Sequence, residues 1–351
     1  MKKIQKILLL TILINCQWSM VNKLHAQDDS KELDNVVVTG TRNETDVRHL
    51  PFTVNVINRK TLTEKEQNNI LPTLMEQVPG LTITSRAMMG YGVSGGAAGG
   101  INLRGITGGV GQILVLIDGH PQYQGIYSHP ISDSYQTMIA ERVEVLRGPA
   151  SMLYGSNAMG GVINIVTRQM KTNGVHTHVN LGAGSWGTIQ TEASNILRQG
   201  RFFSSVAAQY NRSDNHRPRM GFEQYGGFAK VGYDISDHWL VYADANITHF
   251  NASHPGTEDT PLYDADQWIT RGAVSAALEN NYERTSGGLS VYSNFGSHKI
   301  DDGTDNPAKP TQRYFRSKDN LAGVSLYQSA RLFEGNRITL GFDWQHIYGN
   351  A

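Results

Sequence analysis

The sequence AERVEVLRGPASMLYGSNAMGGVINIVTR, residues 140–168, holds two short apolar runs on either side of a segment rich in Gly, Pro and Ser. Residues 142–146 and 162–167 each predict a strand, because both runs are short and rich in valine or isoleucine. Pro149 can begin a helix, since its fixed φ suits the first helical turn and its missing N–H costs nothing there. A helix over 150–154 would then end at Gly155, a residue suited to a left-handed cap. The local prediction is therefore strand, one helical turn, strand, with no nucleophile–base pair.

The same stretch resembles the end of the plug domain of TonB-dependent outer-membrane receptors. The resemblance rests on residues 144–149 (EVLRGP), 153–155 (LYG) and 160–167 (GGVINIVT). Residues 102–105 (NLRG) and 115–119 (VLIDG) resemble two further plug signatures. The resemblance implies a mixed α/β plug domain, which we assign to residues 50–170, followed by an antiparallel transmembrane β-barrel.

The composition and the chain start bound the possibilities. Lys plus Arg equals Asp plus Glu at 31 each, so no basic field points to nucleic acid. Three lysines in the first six residues, an apolar run over 7–14 and Ala26 predict a signal peptide over 1–26, cleaved near Ala26. The apolar run is shorter than the roughly 18 residues that span a bilayer as a helix. The only cysteine, Cys16, would leave with the signal, so the exported chain has no disulfide or thiolate metal site. We expect export to the outer membrane of a Gram-negative cell.

Residues 27–49 read as a periplasmic extension. Within it, residues 34–42 (DNVVVTGTR) contain three consecutive valines that favour an extended chain. An exposed β-prone segment can pair with the sheet edge of another protein. The segment resembles a TonB box, which implies binding of a TonB-type periplasmic energy-transducing protein. The residues implied in that binding are Asp34, Val36, Val37, Val38 and Thr39. The alternative is an ordinary first strand of the next domain.

The plug region reads as a compact mixed domain. Residues 52–57 and 81–85 alternate as strands, and Thr61 with Glu64 forms a capping-box pattern that would open a helix. Pro72 would restart a second helix that ends at 79–80. The glycines at 90, 92 and 95 match a dinucleotide fingerprint formally, but the glycine-rich residues after them cannot sustain the helix that it requires.

Four charged residues lie beside apolar strands of the plug: Arg104, Glu141, Glu144 and Arg147. In a soluble domain such charges usually form a solvated face. The resemblance implies instead that they pair with charges on the barrel wall. Buried pairs are weak evidence for stability, but they can hold the plug in register.

Beyond residue 174 the chain alternates in segments of about ten residues, which is typical of outer-membrane strands. Tight turns alternate with longer polar connections near 213–222, 251–268 and 297–313, and the alternative of a soluble β-sandwich also alternates. We predict an incomplete barrel over 171–351 with about nine strands, whereas the family implies about 22. The chain is therefore expected to be an amino-terminal fragment. The predicted strands are 175–182, 187–197, 202–211, 226–233, 239–248, 273–279, 288–295, 323–332 and 338–346.

The stretch 118–133 (DGHPQYQGIYSHPISD) resembles the apical plug loop of haem receptors of this family. Imidazole and phenolate both bind haem iron. The resemblance thus implies ligand-binding candidates at His129, His120, Tyr123 and Tyr127, and the alternative is ordinary turn residues. Haem or an iron chelate would be the transported ligand. No resident cofactor or metal is expected.

The predicted function is energised uptake of an iron complex, either haem or a ferric siderophore. Cobalamin or another TonB-dependent nutrient remains an alternative, as does a non-energised pore or adhesin. An exported hydrolase would need an acid–base constellation, and carboxylate pairs such as Asp301 and Asp302 lie in loops. We therefore predict a receptor without enzymatic activity. Assistance by a surface lipoprotein is left open.

Overall fold

Two β-sheets of different kinds form most of the described chain. The computed structural model describes residues 36–37, 39, 45–46, 52–65, 67–85, 89–91, 100–107, 112–123, 125–126, 128, 130–309 and 314–351. The predicted signal peptide, Asp34, Val38, Tyr127 and His129 lie outside these residues. Within them, no helix is long and apolar enough to cross a membrane.

The first sheet is a mixed five-stranded sheet, and it belongs to the part of the chain from β1 to β10, which we call the plug. Its strand order is β3-β9-β10-β7-β8, with β7 and β10 parallel and the other neighbours antiparallel. A hairpin of β1 and β2 and a small sheet of β4, β5 and β6 complete the plug. The elements are β1 (Val36–Val37), β2 (Thr45–Asp46), β3 (Thr53–Asn58), α1 (Arg59–Glu64), α2 (Ile70–Gln77), β4 (Leu81–Ile83), β5 (Ile101–Leu103), β6 (Ile106–Thr107), β7 (Ile113–Ile117), β8 (His120–Pro121), β9 (Ala140–Arg147), α3 (Ser151–Tyr154) and β10 (Gly161–Thr167).

The stretch 140–168 folds as predicted. Its two apolar runs are β9 and β10, which pair antiparallel and leave the short helix α3 between them. Gly155 ends α3 with a φ of 81°. Gly161 allows the closest approach of the two strands, because a Cβ there would lie 2.5 Å from the carbonyl oxygen of Leu146. The glycine signature thus has a steric cause as well as a conformational one.

The predicted starts of the first two helices are wrong, the first by three residues and the second by two. Helix α1 begins at Arg59, because the Oδ1 of Asn58 accepts the backbone N–H of Thr61 at 3.0 Å and caps the helix three residues before Thr61, the predicted cap. Helix α2 begins at Ile70, with Asn69 as its cap, and Pro72 lies within the first turn. Proline is tolerated there because the first N–H groups of a helix have no intrahelical partner.

The plug core lies between α2 and the mixed sheet. Ile70, Leu71 and Leu74 are fully buried, and they belong to the same apolar cluster as Val143 and Ile163 of β9 and β10. Burying each such side chain contributes about 1.5–3 kcal/mol. The core therefore fixes the mixed sheet from one side.

The second sheet, which we call the wall, has nine antiparallel strands in chain order, and the nine predicted segments are confirmed. The strands are 11 to 16 residues long, longer than most of the predicted segments. Apart from the short turn 185–187, the connections at one end of the wall, the loop side, are longer than those at the other end, the turn side. The long loop-side connections are 214–221, 254–265 and 301–314, and the turn-side ones are 200–201, 237–238, 282–284 and 331–337. The strands are β11 (Gly174–Gly184), β12 (Thr188–Gln199), β13 (Phe202–Ser213), β14 (Phe222–Ser236), β15 (Trp239–Ser253), β16 (Asp266–Asn281), β17 (Thr285–Ile300), β18 (Phe315–Ala330) and β19 (Ile338–Asn350).

The wall has a polar inner face that is buried against the plug and an apolar outer face that is exposed. The inner face carries buried polar side chains, among them Gln224, Arg271 and Asn294. The outer face carries Val231 and Val291, each 49% exposed, at positions that alternate with the polar ones. This pattern is the reverse of a soluble sandwich, in which the apolar face is covered. It is the pattern of a wall whose outside faces lipid.

Candidate functional site at the two ends of the plug

At the turn side, the amino-terminal segment is bound to the plug through Thr39. Glu144 Oε2 accepts the backbone N–H of Thr39 at 2.8 Å and its hydroxyl at 2.5 Å. Arg142 donates to the other carboxylate oxygen at 2.8 Å, and Tyr154 donates to the Thr39 carbonyl at 3.0 Å. Glu144 and Val37 are both fully buried. Val37 and Thr39, which belong to the predicted TonB box, are therefore docked on the plug and are not exposed.

In the middle of the plug, Asp118 is joined to the wall. Lys230 Nζ lies 2.8 Å from Asp118 Oδ2 and 3.0 Å from the hydroxyl of Thr167, which itself donates to Asp118 at 2.5 Å. Burial alone would raise the pKa of Asp118, but the Lys230 ammonium and the Thr167 hydrogen bonds outweigh burial and hold that pKa below its usual value. Asp118 is therefore a carboxylate that carries a buried ion pair between plug and wall.

His120 lies beside this pair and is covered by the wall. Its side chain is 7% exposed and stacks on Tyr292, with ring centroids 5.0 Å apart. Burial lowers the pKa of His120 to about 4, against a smaller opposing effect of Asp118. The ring is therefore neutral at neutral pH. Its stacked position deep in the plug argues against direct contact with a ligand that arrives at the loop side.

At the loop side, wall side chains bind the backbone of residues 121–125. Arg271 and Asp319 form a buried ion pair at 2.6 Å. Asp319 also accepts the N–H of Gly125 at 2.9 Å, and Arg271 donates to the Tyr123 carbonyl at 3.3 Å. Asn294 donates to the Pro121 carbonyl at 3.2 Å. The start of the predicted ligand loop is therefore attached to three wall strands.

The Tyr123 phenol is also part of this attachment. Its hydroxyl donates to Gln345 at 3.2 Å, and its side chain is 6% exposed. Burial raises the pKa of Tyr123 to about 12. Tyr123 is therefore a neutral anchor here, and a ligand could reach it only after this contact breaks.

A second loop-side anchor involves residues 89–91 and Asp133. Both carboxylate oxygens of Asp133 lie 3.0 Å from the N–H of Tyr91, and Gln224 of the wall donates to the Asp133 carbonyl at 2.6 Å. Asn215, in the connection after β13, brackets Met89 with two hydrogen bonds of 3.1 Å. Two separate stretches of the plug thus meet the wall at the loop side.

The four plug charges predicted to face the wall do not make the plug–wall pairs described here. Glu144 binds Arg142 and Thr39 within the plug, because β9 lies inside the mixed sheet. Among the described residues, Arg104, Glu141 and Arg147 form no ion pair with the wall. Arg104 is exposed in a turn, and Arg147 donates to the Pro79 carbonyl at 3.4 Å.

The wall residues that hold the plug were not singled out in the sequence. Lys230, Arg271 and Asp319 are charged residues at alternate positions in otherwise mixed strands. The sequence does contain a signal that could have identified them, because a charge at an inward position of a transmembrane strand needs a partner inside the barrel. Sequence alone does not say which plug residue supplies that partner.

Comparison with known proteins agrees with this architecture. Residues 46–162 match the sequence model of the TonB-dependent Receptor Plug Domain. The match covers the mixed sheet except for residues 163–167 of β10, and the nine-stranded wall follows it. The chain therefore contains a plug domain of the TonB-dependent receptor family.

Relatives of the chain include a vitamin B12 transporter and an iron-regulated outer membrane virulence protein. The chain is 30% identical over 291 residues to the vitamin B12 transporter BtuB of Vibrio vulnificus, an alignment that spans 79% of this chain and 43% of BtuB. It is 35% identical over 152 residues to an iron-regulated outer membrane virulence protein of Vibrio cholerae, which spans 41% of this chain and 21% of that protein. The chain therefore spans less than half the length of these relatives.

Solved structures share the fold of the chain. FpvA of Pseudomonas aeruginosa, bound to a pyoverdine–iron complex, superimposes with a TM-score of 0.71 at 17% identity, over 90% of this chain and 45% of FpvA. The ferric yersiniabactin uptake receptor FyuA of Yersinia pestis gives 0.67 at 18% identity, over 85% of this chain and 49% of FyuA. At these identities the likeness concerns the fold, a plug followed by an antiparallel wall.

Proposed function

We propose that the whole protein is an outer-membrane receptor that imports an iron complex, either haem or a ferric siderophore, with energy supplied by a TonB-type periplasmic protein. Ligand would bind at the loop side, and a pull at the turn side would displace the plug. No catalytic activity is part of this proposal. Residues 1–26 would be a signal peptide cleaved near Ala26, and residues 27–49, 50–170 and 171–351 would be the extension, the plug and the first part of the barrel.

The outer face of the wall supports the membrane location. On β14, the exposed residues Tyr225, Val231 and Tyr233 place one aromatic ring near each end of an apolar stretch. Eight residues of strand span about 26 Å, or about 20 Å along the membrane normal at a tilt of about 40°. This height is close to the apolar band of about 25 Å in outer-membrane barrels.

The observation that carries the proposal is the continuous link between the two ends of the plug. Glu144, which binds Thr39, is paired with Asn164 in β10, and Asn164 is paired with Leu116 in β7. Asn164 also accepts the N–H of Gly119 at 3.1 Å. A force on the amino-terminal segment would thus act on the strand that leads into the loop-side residues 121–125. Two sites coupled through one element are what energised uptake requires.

Release of the docked segment would precede its capture by the partner. Val36 and Val37 already form a strand, and a partner's sheet edge could replace Thr45 and Asp46 as their neighbour. We propose that Asp34, Val36, Val37, Val38 and Thr39 make this contact. Pairing of Arg104, Glu141, Glu144 and Arg147 with a barrel wall remains a proposal for the displaced plug.

The iron complex is favoured by the ligand loop. His129 and Tyr127 would contact the ligand beyond the anchored residues 121–125, while His120 and Tyr123 would be reached only after their contacts with the wall break. Cobalamin is the second candidate, and the observation in its favour is the match to the vitamin B12 transporter over 79% of this chain. A surface lipoprotein would assist capture of either ligand.

Growth assays can distinguish the candidates. Cells that lack their own iron-complex and cobalamin receptors, and that express the whole protein, would be supplied with hemin, a ferric siderophore or cobalamin. We expect growth on an iron complex alone, and only when the TonB-type protein is present. Growth on cobalamin alone would identify cobalamin, and not an iron complex, as the imported ligand. Growth on an iron complex without the energising protein would contradict energised uptake.

A hemin titration of the purified whole protein, followed in the Soret band, tests the residue assignment. We expect a saturable shift that weakens in the variant His129→Ala. His238→Ala is the control, because His238 stacks on Tyr282 at the turn side. An equal shift in wild type and His129→Ala would move the haem ligand elsewhere, and no saturable shift would favour a siderophore or cobalamin.

A further inference from the structure

A group of cationic and aromatic side chains on the outer face of the wall has no role in the proposed import. Trp268, Lys299 and Arg316 are directly paired across β16, β17 and β18, and Lys318 follows in the next outward row. Lys299 Nζ lies 4.0 Å from the ring centroid of Trp268 and 4.3 Å from that of Tyr314. We call these five residues the cationic patch.

The cationic patch lies on the lipid-facing side, at the loop-side border of the apolar band. Trp268 is separated from Val274, Lys299 from Val291 and Arg316 from Leu326 by even numbers of residues. Since side chains alternate along a strand, each patch residue shares the face of its apolar partner. Val274, Val291 and Leu326 are 45%, 49% and 49% exposed. A lipid that covers these side chains would place its headgroup beside the patch.

The charge of the patch is uncompensated within the described chain. Lys299 and Arg316 are like charges directly opposite each other, an arrangement that destabilises a sheet. Neither they nor Lys318 forms an ion pair with a described carboxylate. The aromatic rings of Trp268 and Tyr314 offset part of the repulsion. A bound anion between the two cations would turn the repulsion into attraction.

Strands β13 and β14 have charged residues at the same loop-side border of the apolar band, but these charges are compensated. Arg212, outward on β13, is paired with Asp214 at 2.9 Å. Its cross-strand neighbour Glu223 accepts hydrogen bonds of 2.9 Å from Tyr210 and Tyr225. Charges there are satisfied by the protein itself. The uncompensated cations are thus a local feature of β17 and β18, and they are not general to this rim.

We propose that the cationic patch binds the phosphate of a membrane lipid headgroup in the leaflet at the loop side. Arg316 would hold the phosphate oxygens with its planar fork, and Lys299 and Lys318 would supply further charge. Trp268 and Tyr314 would lie at the level of the headgroup, where aromatic rings with a polar edge are stable. The proposal rests on insertion of the wall in the membrane, as proposed above, and does not depend on the imported ligand.

The test compares lipid binding by the whole protein in mild detergent, measured by native mass spectrometry. Lipid A carries phosphates on its headgroup, and its enzymatically dephosphorylated form keeps the same acyl chains. Each basic residue near an anionic surface contributes about fivefold in affinity, so Lys299→Gln/Arg316→Gln should bind lipid A about 30-fold more weakly. The control Arg212→Gln/Lys309→Gln removes the same charge and should bind lipid A like wild type. Dephosphorylated lipid A should not distinguish the variants.

A second variant separates lipid binding from stability. Arg316→Glu places an acidic residue opposite Lys299, so it should be as stable as wild type or more stable, yet bind lipid A at least as weakly as the double variant. Equal affinity of wild type and Lys299→Gln/Arg316→Gln for lipid A would overturn the proposal. So would binding of inorganic phosphate as tight as that of lipid A, because the site would then be one for a free anion. Failure of wild type to insert into bilayers would instead contradict the proposed function.

Discussion

The ion pair between Asp118 and Lys230 offers the most specific prediction for how the plug is held. Replacing Lys230 with Met leaves Asp118 buried without its counter-charge. The side chain of Asp118 is 10% exposed and that of Lys230 is 6% exposed. Breaking a buried pair in this way costs about 3–5 kcal/mol. Asp118 keeps its two hydrogen bonds from Thr167, so we expect the lower end, about 3 kcal/mol. This corresponds to about 150-fold more frequent local opening.

Native-state hydrogen exchange of the whole protein in bilayers measures this opening at residues 117–120 and 165–167. The double variant Lys230→Met/Asp118→Asn removes both charges and should recover most of the protection. Glu192→Gln is the control, because the Arg59–Glu192 pair is wider at 3.6 Å and more exposed, and its loss should cost below about 1 kcal/mol. Unchanged exchange in Lys230→Met, or no recovery in the double variant, would refute the reasoning.

The pH dependence of this contact follows from the sign of the shift. The folded-state pKa of Asp118 lies below its unfolded value of about 3.9. Its stabilising contribution is therefore fully present above about pH 4 and is lost as the pH falls through the lower, folded pKa. Protection factors that depend on this pair, that is, exchange rates corrected for the intrinsic rise of amide exchange with pH, should not change between about pH 5 and about pH 8.

Three further predictions concern other plug contacts. Glu144→Gln should weaken the contact with Thr39 through loss of a charged acceptor, and limited proteolysis of residues 34–45 should be faster by about tenfold. Arg271→Met should leave Asp319 buried and unpaired, at a cost of about 3–5 kcal/mol, and should speed hydrogen exchange at residues 121–125. Unfolded His120 binds a proton below about pH 6.5 and folded His120 only below about 4, so the free energy of plug unfolding should fall by about 2 kcal/mol from about pH 7 to about pH 5, and His120→Phe should abolish this fall.

The sequence predicts the elements of this fold better than their contacts. The nine wall strands and the pair β9 and β10 are readable because alternation and β-branched runs are local properties. Gly155 and Gly161 are readable because turns and close approaches demand glycine. The helix starts were missed because Asn58 caps α1 ahead of the Thr61 pattern, and Asn69 caps α2 ahead of Pro72.

The partners of the plug charges depend on register between distant strands. Asp118 and Lys230 are 112 residues apart, and Arg271 contacts a carbonyl 148 residues earlier. No local pattern encodes which inward position meets which plug residue. The sequence also suggested that the segment around Val37 is exposed, whereas the acceptor that docks it, Glu144, lies far along the chain.

Residues 34–42 are proposed to transmit energy to the plug. Deleting them from the whole protein is the direct test of this role. The measurement is the ratio of ligand taken up to ligand bound at the cell surface, in cells that express wild type or the deletion variant. We expect unchanged surface binding and loss of uptake in the variant. Uptake at the wild-type rate without residues 34–42 would contradict the account and favour a passive pore.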